Sequence, residues 1–175
     1  MKDKMNVSII GDHIVDKIMY VDGRVEVVER KCNLVVNSIL PLIMGCLKGS
    51  LQGIQYWAIG SGAESWDSNT PEPSLTETTL TSEIGRKVIT SSGISFVTPD
   101  TFEASSSPTT CLKVVATFDE SECNGDWREF GIFGGNATTT KDSGYMLDKK
   151  HHDILTKTES MKVERTIYFT ISFAG

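Results

Sequence analysis

The residues best suited to chemistry in this chain are two adjacent histidines and an aspartate: His151, His152 and Asp153. Imidazole and carboxylate groups are common metal ligands, and a metal site needs three or four of them. Successive side chains of a β-strand point to opposite faces, so His151 and His152 cannot share one ion on the strand predicted here, whereas His151 and Asp153 could. The spacing suggests no third ligand, and the sequence favours a solvated strand over a metal site.

An acidic segment is the second candidate for a bound cation. Its oxygen-bearing side chains are Asp119, Glu120, Glu122, Asn124 and Asp126. Calcium binds clustered oxygen ligands, but this segment lies between predicted strands and lacks the helix-loop-helix frame of the common calcium loop. Asp, Asn and Gly are also the usual residues of turns, so an ordinary turn is the favoured interpretation and a structural ion the alternative.

The sequence offers little support for nucleophilic catalysis. Residues 60–63, Gly-Ser-Gly-Ala, fit no phosphate-binding loop and are predicted to form a turn. The N-terminus lacks the apolar run of a signal peptide, so the cysteines are predicted to be reduced thiols: Cys32, Cys46, Cys111 and Cys123. Their spacing implies no His-plus-Asn or His-plus-Asp partner, which leaves a cysteine hydrolase as a weak alternative. We expect no enzymatic activity, no cofactor and no metal.

Composition limits the class of partner. The chain has 175 residues, 39% of them hydrophobic, which suits one globular domain. Its formal net charge of -6 disfavours nucleic acid and anionic membranes, because binding to phosphate requires clustered Lys and Arg. The longest apolar run, residues 34–47, is interrupted by Asn, Ser, Pro and Gly and is too short to span a bilayer.

The central pattern of the sequence is a predicted hairpin around the acidic segment. Residues 109–118 alternate apolar and polar side chains, as expected for a half-buried strand. On the strand after the turn, four residues are predicted to share one face: Trp127, Glu129, Gly131 and Phe133. Phe130 and Ile132 fall on the opposite face, so this strand is predicted to be central and buried on both sides. Glu129 then needs a partner, because an unpaired buried carboxylate is costly.

The first part of the chain carries a second hairpin signal. Asp22-Gly23 lies between two β-rich runs, and an Asp-Gly pair supplies the positive φ angles of a tight turn. Residues 7–30 are therefore predicted to form a β-hairpin. We expect residues 1–32 to form an N-terminal hairpin arm that projects from the main domain.

Residues 33–48 are predicted to form the principal helix, with Asn33 as its N-cap and Gly49 after its last turn. Pro41 lies inside that range and is expected to kink the helix. Residues 61–79 are predicted to form a long loop rich in Ser, Thr and Pro, and residues 75–84 a short helix. Long loops without regular structure often form interfaces.

The remaining apolar runs predict strands at residues 54–59, 86–90, 94–97, 109–118, 127–134, 145–155 and 162–173. Many strands with one principal helix indicate a mainly β fold, an antiparallel β-sandwich. The sandwich domain is predicted to span residues 33–175.

Exposed aromatic residues could also bind a ligand such as a sugar. Trp57 and Trp127 lie on predicted strands and are expected to pack in the core. Trp66, in the long loop, is the residue we expect to contact a partner. The predicted interface residues are Trp66, Tyr56, Asp22 and Gly23. A carbohydrate-binding β-sandwich that uses Trp66 and Tyr56 is one functional hypothesis.

Five segments, in their order along the chain, resemble a family of small structural proteins of tailed bacteriophage particles. These proteins are described as head-decoration, tail-fibre or baseplate-associated proteins. The most specific segment is the hairpin at residues 118–133, with its pattern Glu-x-Asn-Gly-x-Trp-x-Glu-x-Gly-Ile-Phe. The others are Asn33-Leu34, Gly-Ser-Gly at 60–62, residues 80–87, and Leu-Thr-Lys-Thr at 155–158. The first thirty residues and Pro41 depart from the family pattern.

The resemblance implies a structural role in the virion, assembly in the host bacterial cytoplasm and no catalysis. A free-standing module of this size suits a decoration protein that binds the head shell in many copies. A tail-fibre or baseplate-associated protein is the alternative. The implied partners are the major capsid protein or tail and baseplate proteins, together with further copies of the same chain.

Overall fold

The computed structural model describes residues 6–31 and 33–174. Strands account for most of this part of the chain. In chain order the elements are β1 Asn6–Tyr20, β2 Val25–Lys31, β3 Leu34–Val35, α1 Ile39–Lys48, β4 Gln52–Gly60, β5 Glu83–Val88, β6 Ile94–Val97, β7 Cys111–Phe118, β8 Gly125–Gly135, β9 Tyr145–Lys157 and β10 Met161–Ala174.

The strands form two five-stranded antiparallel sheets. Sheet A has the order β2-β1-β10-β7-β6, and sheet B has the order β3-β9-β8-β4-β5. The fold class predicted from the sequence, a mainly β antiparallel sandwich with one principal helix, is confirmed. The strands predicted at residues 54–59, 94–97, 109–118, 127–134, 145–155 and 162–173 are all present, with ends that differ by a few residues.

Two apolar clusters hold the sheets in place. The main core lies between the sheets, where Trp57 and Phe130 of sheet B pack in one cluster with Phe118 and Ile167 of sheet A. A smaller cluster lies on the outer face of sheet B and joins Phe133 and other strand residues to side chains from the connecting loops. Sheet B is therefore covered on both faces, which explains why β8 is buried along nearly its whole length, as predicted.

The predicted N-terminal hairpin is present, with its turn at Asp22-Gly23 and a positive φ of 89° at Gly23. Its relation to the rest of the chain differs from the predicted arm. Strand β1 pairs with β10 along its length, from Asn6↔Ala174 to Tyr20↔Met161, so the hairpin is the edge of sheet A. The physical reason is that two strands alone are marginal in water, and the free side of β1 gains stability by pairing with β10.

The helix is shorter than predicted. It begins at Ile39, so the range 33–48 was wrong at its start, and Asn33 is not the N-cap. Asn33 instead donates its side-chain amide to the buried carboxyl of Asp148. Pro41 is the third helical residue and lies in the first turn, where backbone N–H groups have no helical acceptor, so no interior hydrogen bond is lost. The predicted C-cap at Gly49 is confirmed by its φ of 73°.

The predicted short helix at residues 75–84 is wrong, because that segment is irregular until strand β5 begins at Glu83. The predicted loop at 61–79 is confirmed and continues to residue 82, with one short 3-10 turn at Glu64–Asp67. We call residues 61–82 the covering loop, because its polar groups bind the outer face of sheet B. The backbone N–H groups of Thr81 and Ser82 and the carbonyl of Pro71 are among the groups that bind the sheet.

Candidate functional site

The carboxylate of Glu129 is the centre of a polar network under the covering loop. Glu129 is fully buried, and its two oxygens accept hydrogen bonds from the backbone N–H groups of Thr81 (3.0 Å) and Ser82 (2.8 Å). The ammonium of Lys149 lies 3.0 Å from the same carboxylate. The partner that the sequence required for Glu129 is therefore a lysine on the next strand together with loop backbone. The network ties the loop to the sheet.

Two glycines make room for this network. A Cβ at Gly60 would lie 2.5 Å from Oε1 of Glu129, so a larger residue there would collide with the buried carboxylate. Gly62 has a φ of 56°, and a Cβ there would lie 2.5 Å from the ring of Trp66. The Gly-Ser-Gly segment, predicted as a simple turn, is thus required by close packing at the start of the covering loop.

Trp66 is half-buried rather than fully exposed. Its ring lies against His151, with the ring centroids 4.2 Å apart, and against Gly62. Next to it, Arg128 forms a two-pronged ion pair with Asp67 of the covering loop, at 2.6 and 2.9 Å. The residue expected to contact a partner therefore helps to fix the loop on the sheet, and only part of its ring remains accessible.

The four residues predicted to share one face of β8 do not all lie on the same face of sheet B. Phe133 belongs to the outer cluster, and Glu129 faces the covering loop, whereas Trp127 packs in the core between the sheets. The pairing of β8 with β9 shifts in register between Trp127 and Glu129, and this irregularity turns Trp127 to the inner face. The indole Nε1 of Trp127 donates to the carbonyl of Cys123 at 2.6 Å.

His151 and His152 point to opposite faces of sheet B, as predicted. His151 lies under the covering loop, with Nδ1 2.8 Å from the carbonyl of Pro71, and burial lowers its pKa. His152 lies in the main core, with Nε2 3.5 Å from the guanidinium of Arg165. Burial, and then the charge of Arg165, lower the pKa of His152 well below its usual value. The two rings cannot share an ion.

Arg165 and Asp16 form a buried ion pair in sheet A. Arg165 is fully buried and donates from Nε and Nη2 to the two oxygens of Asp16, at 2.5 and 2.7 Å. Arg30 of β2 contacts the same carboxylate. Burial raises the pKa of Asp16, but the charge and hydrogen bonds of Arg165, together with the charge of Arg30, outweigh this effect and the net shift is downward. The hairpin is therefore joined to β10 by charge as well as by strand pairing.

The acidic segment surrounds a lysine. The ammonium of Lys157, almost fully buried, donates to the carbonyls of Asp119 (2.7 Å) and Glu120 (3.2 Å) and to Oδ1 of Asn124 (2.8 Å). The carboxylates point elsewhere: Glu122 binds Lys87 at 2.6 Å, and Asp119 lies 3.3 Å from Lys162. Two turn carbonyls and the Asn124 side chain already bind one protein cation, and the Glu122 and Asp119 carboxylates pair with other lysines, which is the physical reason for favouring the ordinary turn.

The cysteines do not form a catalytic arrangement with a histidine in the described contacts. Cys111 is buried and accepts a hydrogen bond from Thr170 at 3.3 Å. Burial, and then the charge of Glu122, raise the pKa of Cys123 to about 11, which disfavours the nucleophilic thiolate form. Cys46 is exposed on the helix, and Cys32 lies outside the described residues. The cysteine hydrolase alternative gains no support.

The predicted interface residues do not form one surface. Asp22 and Gly23 lie at the exposed tip of the β1–β2 hairpin in sheet A, where Asp22 pairs with Arg24 at 2.8 Å. Tyr56 is half-buried on the outer face of sheet B, packed against the smaller apolar cluster, with Arg86 over its ring. Its described contacts differ from those of Trp66. A sugar site that combines Tyr56 with Trp66 stays a prediction.

The most distinctive surface feature is helix α1, which is apolar on every side. Ile39 and Leu42 are buried in the main core. The opposite face exposes three large apolar side chains at i, i+4 and i+7, where a helix on a protein surface normally carries polar residues. They are Leu40, Met44 and Leu47, which are 61%, 65% and 77% exposed. We call these three residues the ridge.

An apolar cleft of about 620 Å³ lies beside the ridge. One wall is the inner face of sheet A near the ends of its strands, and includes Ile9, Phe96 and Ile171. The other wall is formed by α1, β4 and β9. Leu47 belongs to both the ridge and the cleft. We call the ridge and cleft together the apolar end of the sandwich.

Within residues 6–31 and 33–174, no group of three or more His, Cys, Asp or Glu side chains could hold a metal ion. No helix in the same part of the chain is long and apolar enough to cross a membrane. Comparisons with protein-family models, with curated proteins and with solved structures found no match.

Sequence reasoning missed the apolar end, although a signal for it was present. The segment Ile39–Lys48 reads Ile-Leu-Pro-Leu-Ile-Met-Gly-Cys-Leu-Lys and has no polar side chain before its last residue. Only one side of a surface helix can be buried against its own domain, so such a composition already indicates that the other side is exposed and apolar.

Proposed function

We propose that this chain is a non-enzymatic structural subunit that assembles with other proteins in a tailed bacteriophage particle, as a decoration protein bound in many copies to the head shell. The observation that carries the assembly role is the apolar end. A monomeric protein that leaves a helix face with Leu40, Met44 and Leu47 in water gains stability when another protein covers it.

The chemistry of the buried polar groups supports the same proposal. Glu129, Lys149 and Lys157 bind loops and turns, and Arg165 binds Asp16 inside sheet A. Each of these groups satisfies another part of the fold. They provide stability to a scaffold, which is what a particle subunit requires.

The particle assignment rests on the resemblance carried by residues 118–133. In the structure, the residues of that pattern hold the module together: Trp127 binds the turn, Glu129 binds the covering loop, and Gly131 lies close to the backbone of β9. These contacts stabilise the fold, and residues that stabilise the fold are the ones we expect the members of a structural-protein family to share.

The test is the copy number of this chain in purified particles, measured by quantitative mass spectrometry against the major shell protein. Hundreds of copies in a simple ratio to the shell subunit are the expected result. A few copies in multiples of three or six would replace the decoration role by a tail or baseplate role. Absence from particles would overturn the proposal.

The carbohydrate-binding alternative has its own measurement. Trp57 and Trp127 are fully buried, so any ligand-dependent change in tryptophan fluorescence would report on Trp66. We expect no change when a panel of bacterial surface glycans is titrated. Saturable quenching that Trp66→Phe abolishes would favour sugar binding over the structural role.

A further inference from the structure

We propose that the free edge of strand β2 binds β2 of a second copy of this chain, in a two-fold antiparallel contact that joins the two copies of sheet A into one continuous sheet. This inference goes beyond the proposed function and concerns a surface distinct from the apolar end. Three features carry it: the open edge of β2, the charge pattern of β2, and two arginines that share one carboxylate.

Sheet A has two edge strands, β2 and β6, and only one of them is open in the part of the chain that the structure describes. The free side of β6 is closed by its own chain, because Val97 forms a bridge to Ala104 of the following loop. Strand β2 is longer, with seven residues, and no described strand pairs with its free side. A long uncovered edge strand is a template for the addition of another strand.

The backbone of β2 directs every second residue toward this free side. In the β1–β2 hairpin the N–H of Tyr20 donates to the carbonyl of Arg24 at 2.9 Å, so these two residues form a hydrogen-bonded pair. The register then continues without a shift to His13↔Lys31, and hydrogen-bonded pairs alternate along an antiparallel ladder. The residues whose N–H and C=O groups point away from β1 are therefore Val25, Val27, Glu29 and Lys31.

The sequence of β2, Val-Glu-Val-Val-Glu-Arg-Lys, is complementary in charge to itself in one register. A two-fold axis at Val28 sets outward-pointing residues of one copy opposite outward-pointing residues of the other, as the ladder requires. The same axis sets Glu26 opposite Arg30 of the second copy, twice in one contact. Opposite charges in directly facing positions stabilise a pair of strands.

The neighbouring registers are disfavoured by the same residues. A two-fold axis at Val27 would oppose Arg24 and Arg30, and an axis at Glu29 would oppose two copies of Glu29. Like charges in directly facing positions destabilise a pair of strands. Charged residues on an edge strand usually prevent pairing, but those of β2 permit it in the register centred on Val28.

The inner face of β2 has an excess of positive charge that Glu26 of a second copy would offset. Arg30 and Arg165 both contact the carboxylate of Asp16, and no other carboxylate among the described residues forms an ion pair with either guanidinium. Burial lowers the pKa of Arg30 and the charge of Arg165 lowers it further, which Asp16 and Asp153 offset only in part. An additional carboxylate at this edge would therefore be stabilising. Glu26 lies on the same face of β2 as Arg30, and its side chain is 51% exposed.

The contact is small, so the dimer should be weak in solution. Seven paired residues extend over about 23 Å and exchange about eight backbone hydrogen bonds. Contacts that bury less than about 1,200 Å² in total are typical of weak or transient complexes. We therefore expect a dissociation constant on the order of 100 micromolar. Where many copies are held side by side, their effective concentration is on the order of millimolar, and the contact would be occupied.

The test is sedimentation equilibrium of the purified chain from about 5 micromolar to about 1 millimolar, a range that brackets this dissociation constant. We expect a reversible dimer. Glu26→Lys should raise its dissociation constant at least about 10-fold, because both contacts with Arg30 become repulsive. Glu103→Lys is the matched control: it makes the same change in charge at an exposed position of the loop after β6, so the dimer should persist.

A second variant, Val27→Pro, blocks the edge without removing a charge. The N–H of Val27 points away from β1, so proline there removes no hydrogen bond of the hairpin, whereas it interrupts the ladder to a second copy. We expect this variant to be a folded monomer by circular dichroism and sedimentation.

Three results would overturn the proposal. The first is a chain that stays monomeric throughout the concentration range. The second is a dimer that neither Glu26→Lys nor Val27→Pro weakens, because its contact would lie elsewhere on the chain. The third is equal weakening by Glu26→Lys and by the control Glu103→Lys, because net charge rather than the β2 edge would then govern association.

The outcome separates this inference from the proposed function. A chain that is monomeric in solution but present in hundreds of copies on particles contradicts the edge contact and leaves the decoration role intact. A dimer that depends on Glu26 and is absent from particles supports the contact and contradicts the particle role.

Discussion

At the scale of single residues, the buried charged groups act as connectors between distant segments. Glu129 joins the covering loop to sheet B, Lys157 closes the acidic turn, and Asp16 joins the hairpin to β10 through Arg165. Such pairs contribute modestly to net stability, but removal of one partner leaves a buried charge uncompensated and costs several kcal/mol. Substitutions at these positions should therefore lower the unfolding free energy strongly, even though these residues lie in no candidate binding surface.

Asp148 is a buried carboxyl held by neutral partners, and it should make stability depend on pH. It accepts hydrogen bonds from the backbone N–H of Ile132 and from the side chain of Asn33, and burial raises its pKa to about 7. The folded state thus binds the proton more tightly than the unfolded state. The stabilisation from this group is complete below pH 4 and is lost as the pH rises through 7.

We expect the unfolding free energy to fall by up to about 4 kcal/mol between pH 4 and pH 8 through this one group. Asp148→Asn should flatten that part of the profile, because the amide does not titrate. The variant should still fold, because a half-turn of the Asn33 amide lets its unpaired Oδ1 accept from the new amide. Urea unfolding at a series of pH values measures both proteins. Parallel profiles for the wild type and the variant would contradict the assignment.

Lys157 and Lys162 contact the same acidic turn and form a matched pair for mutagenesis. Lys157 is buried with three turn oxygens around its ammonium, and Lys157→Met removes all three hydrogen bonds. We expect a loss of about 2–3 kcal/mol in unfolding free energy. Lys162 is 42% exposed along its side chain, and Lys162→Met should change little. If denaturant unfolding shows that both variants lose the same unfolding free energy, burial of Lys157 is not the cause of its effect.

At the scale of elements, the covering loop depends on the sheet beneath it. Glu129→Gln should remove one of the two carboxylates beside the ammonium of Lys149, leaving Glu77 at 3.1 Å, and should weaken the anchors at Thr81 and Ser82. We expect a loss of about 3 kcal/mol in unfolding free energy and faster proteolysis within residues 61–82. The double variant Glu129→Gln/Lys149→Met should recover part of the stability. If it is no more stable than the single variant, the two charges are not coupled.

The sequence was sufficient for the elements whose patterns are local. Alternation predicted β7 and β10, and Gly49 predicted the end of α1, because side-chain period and positive φ are properties of short segments. The start of α1 was not predictable in this way, since Asn33 is held by Asp148 from β9, more than a hundred residues away. The partners of Glu129 come from the covering loop and from β9, and the lysine inside the acidic turn also comes from β9, so these contacts join residues far apart in sequence.

The same limit applies to the candidate site. Tyr56, Trp66, Asp22 and Gly23 were selected as residues that suit interfaces, but nothing in their spacing revealed that Asp22 and Gly23 lie on sheet A and the two aromatic residues on sheet B. The cleft is formed by strands of both sheets and by α1, so no single segment carries its signature. The ridge is the exception, because its three residues follow one another on one helix.

At the scale of the whole molecule, the sandwich is an asymmetric object. The outer face of sheet B carries the covering loop, which is held by buried charged side chains. The apolar end carries α1, which has no polar side. The formal net charge of the chain is -6. Such a division of the surface favours solubility of the free chain and one preferred direction of association.

The pairing of β1 with β10 also has a consequence for synthesis on the ribosome. Strand β1 pairs with β10, which lies about 150 residues further along the chain, so sheet A cannot close until residues 161–174 have been translated. Until then β1 and β2 present an open edge next to apolar side chains, a state prone to aggregation. We expect refolding to be slow for a domain of this size, because most of its contacts join residues far apart in sequence. High expression of the chain should therefore depend on chaperones that protect this edge.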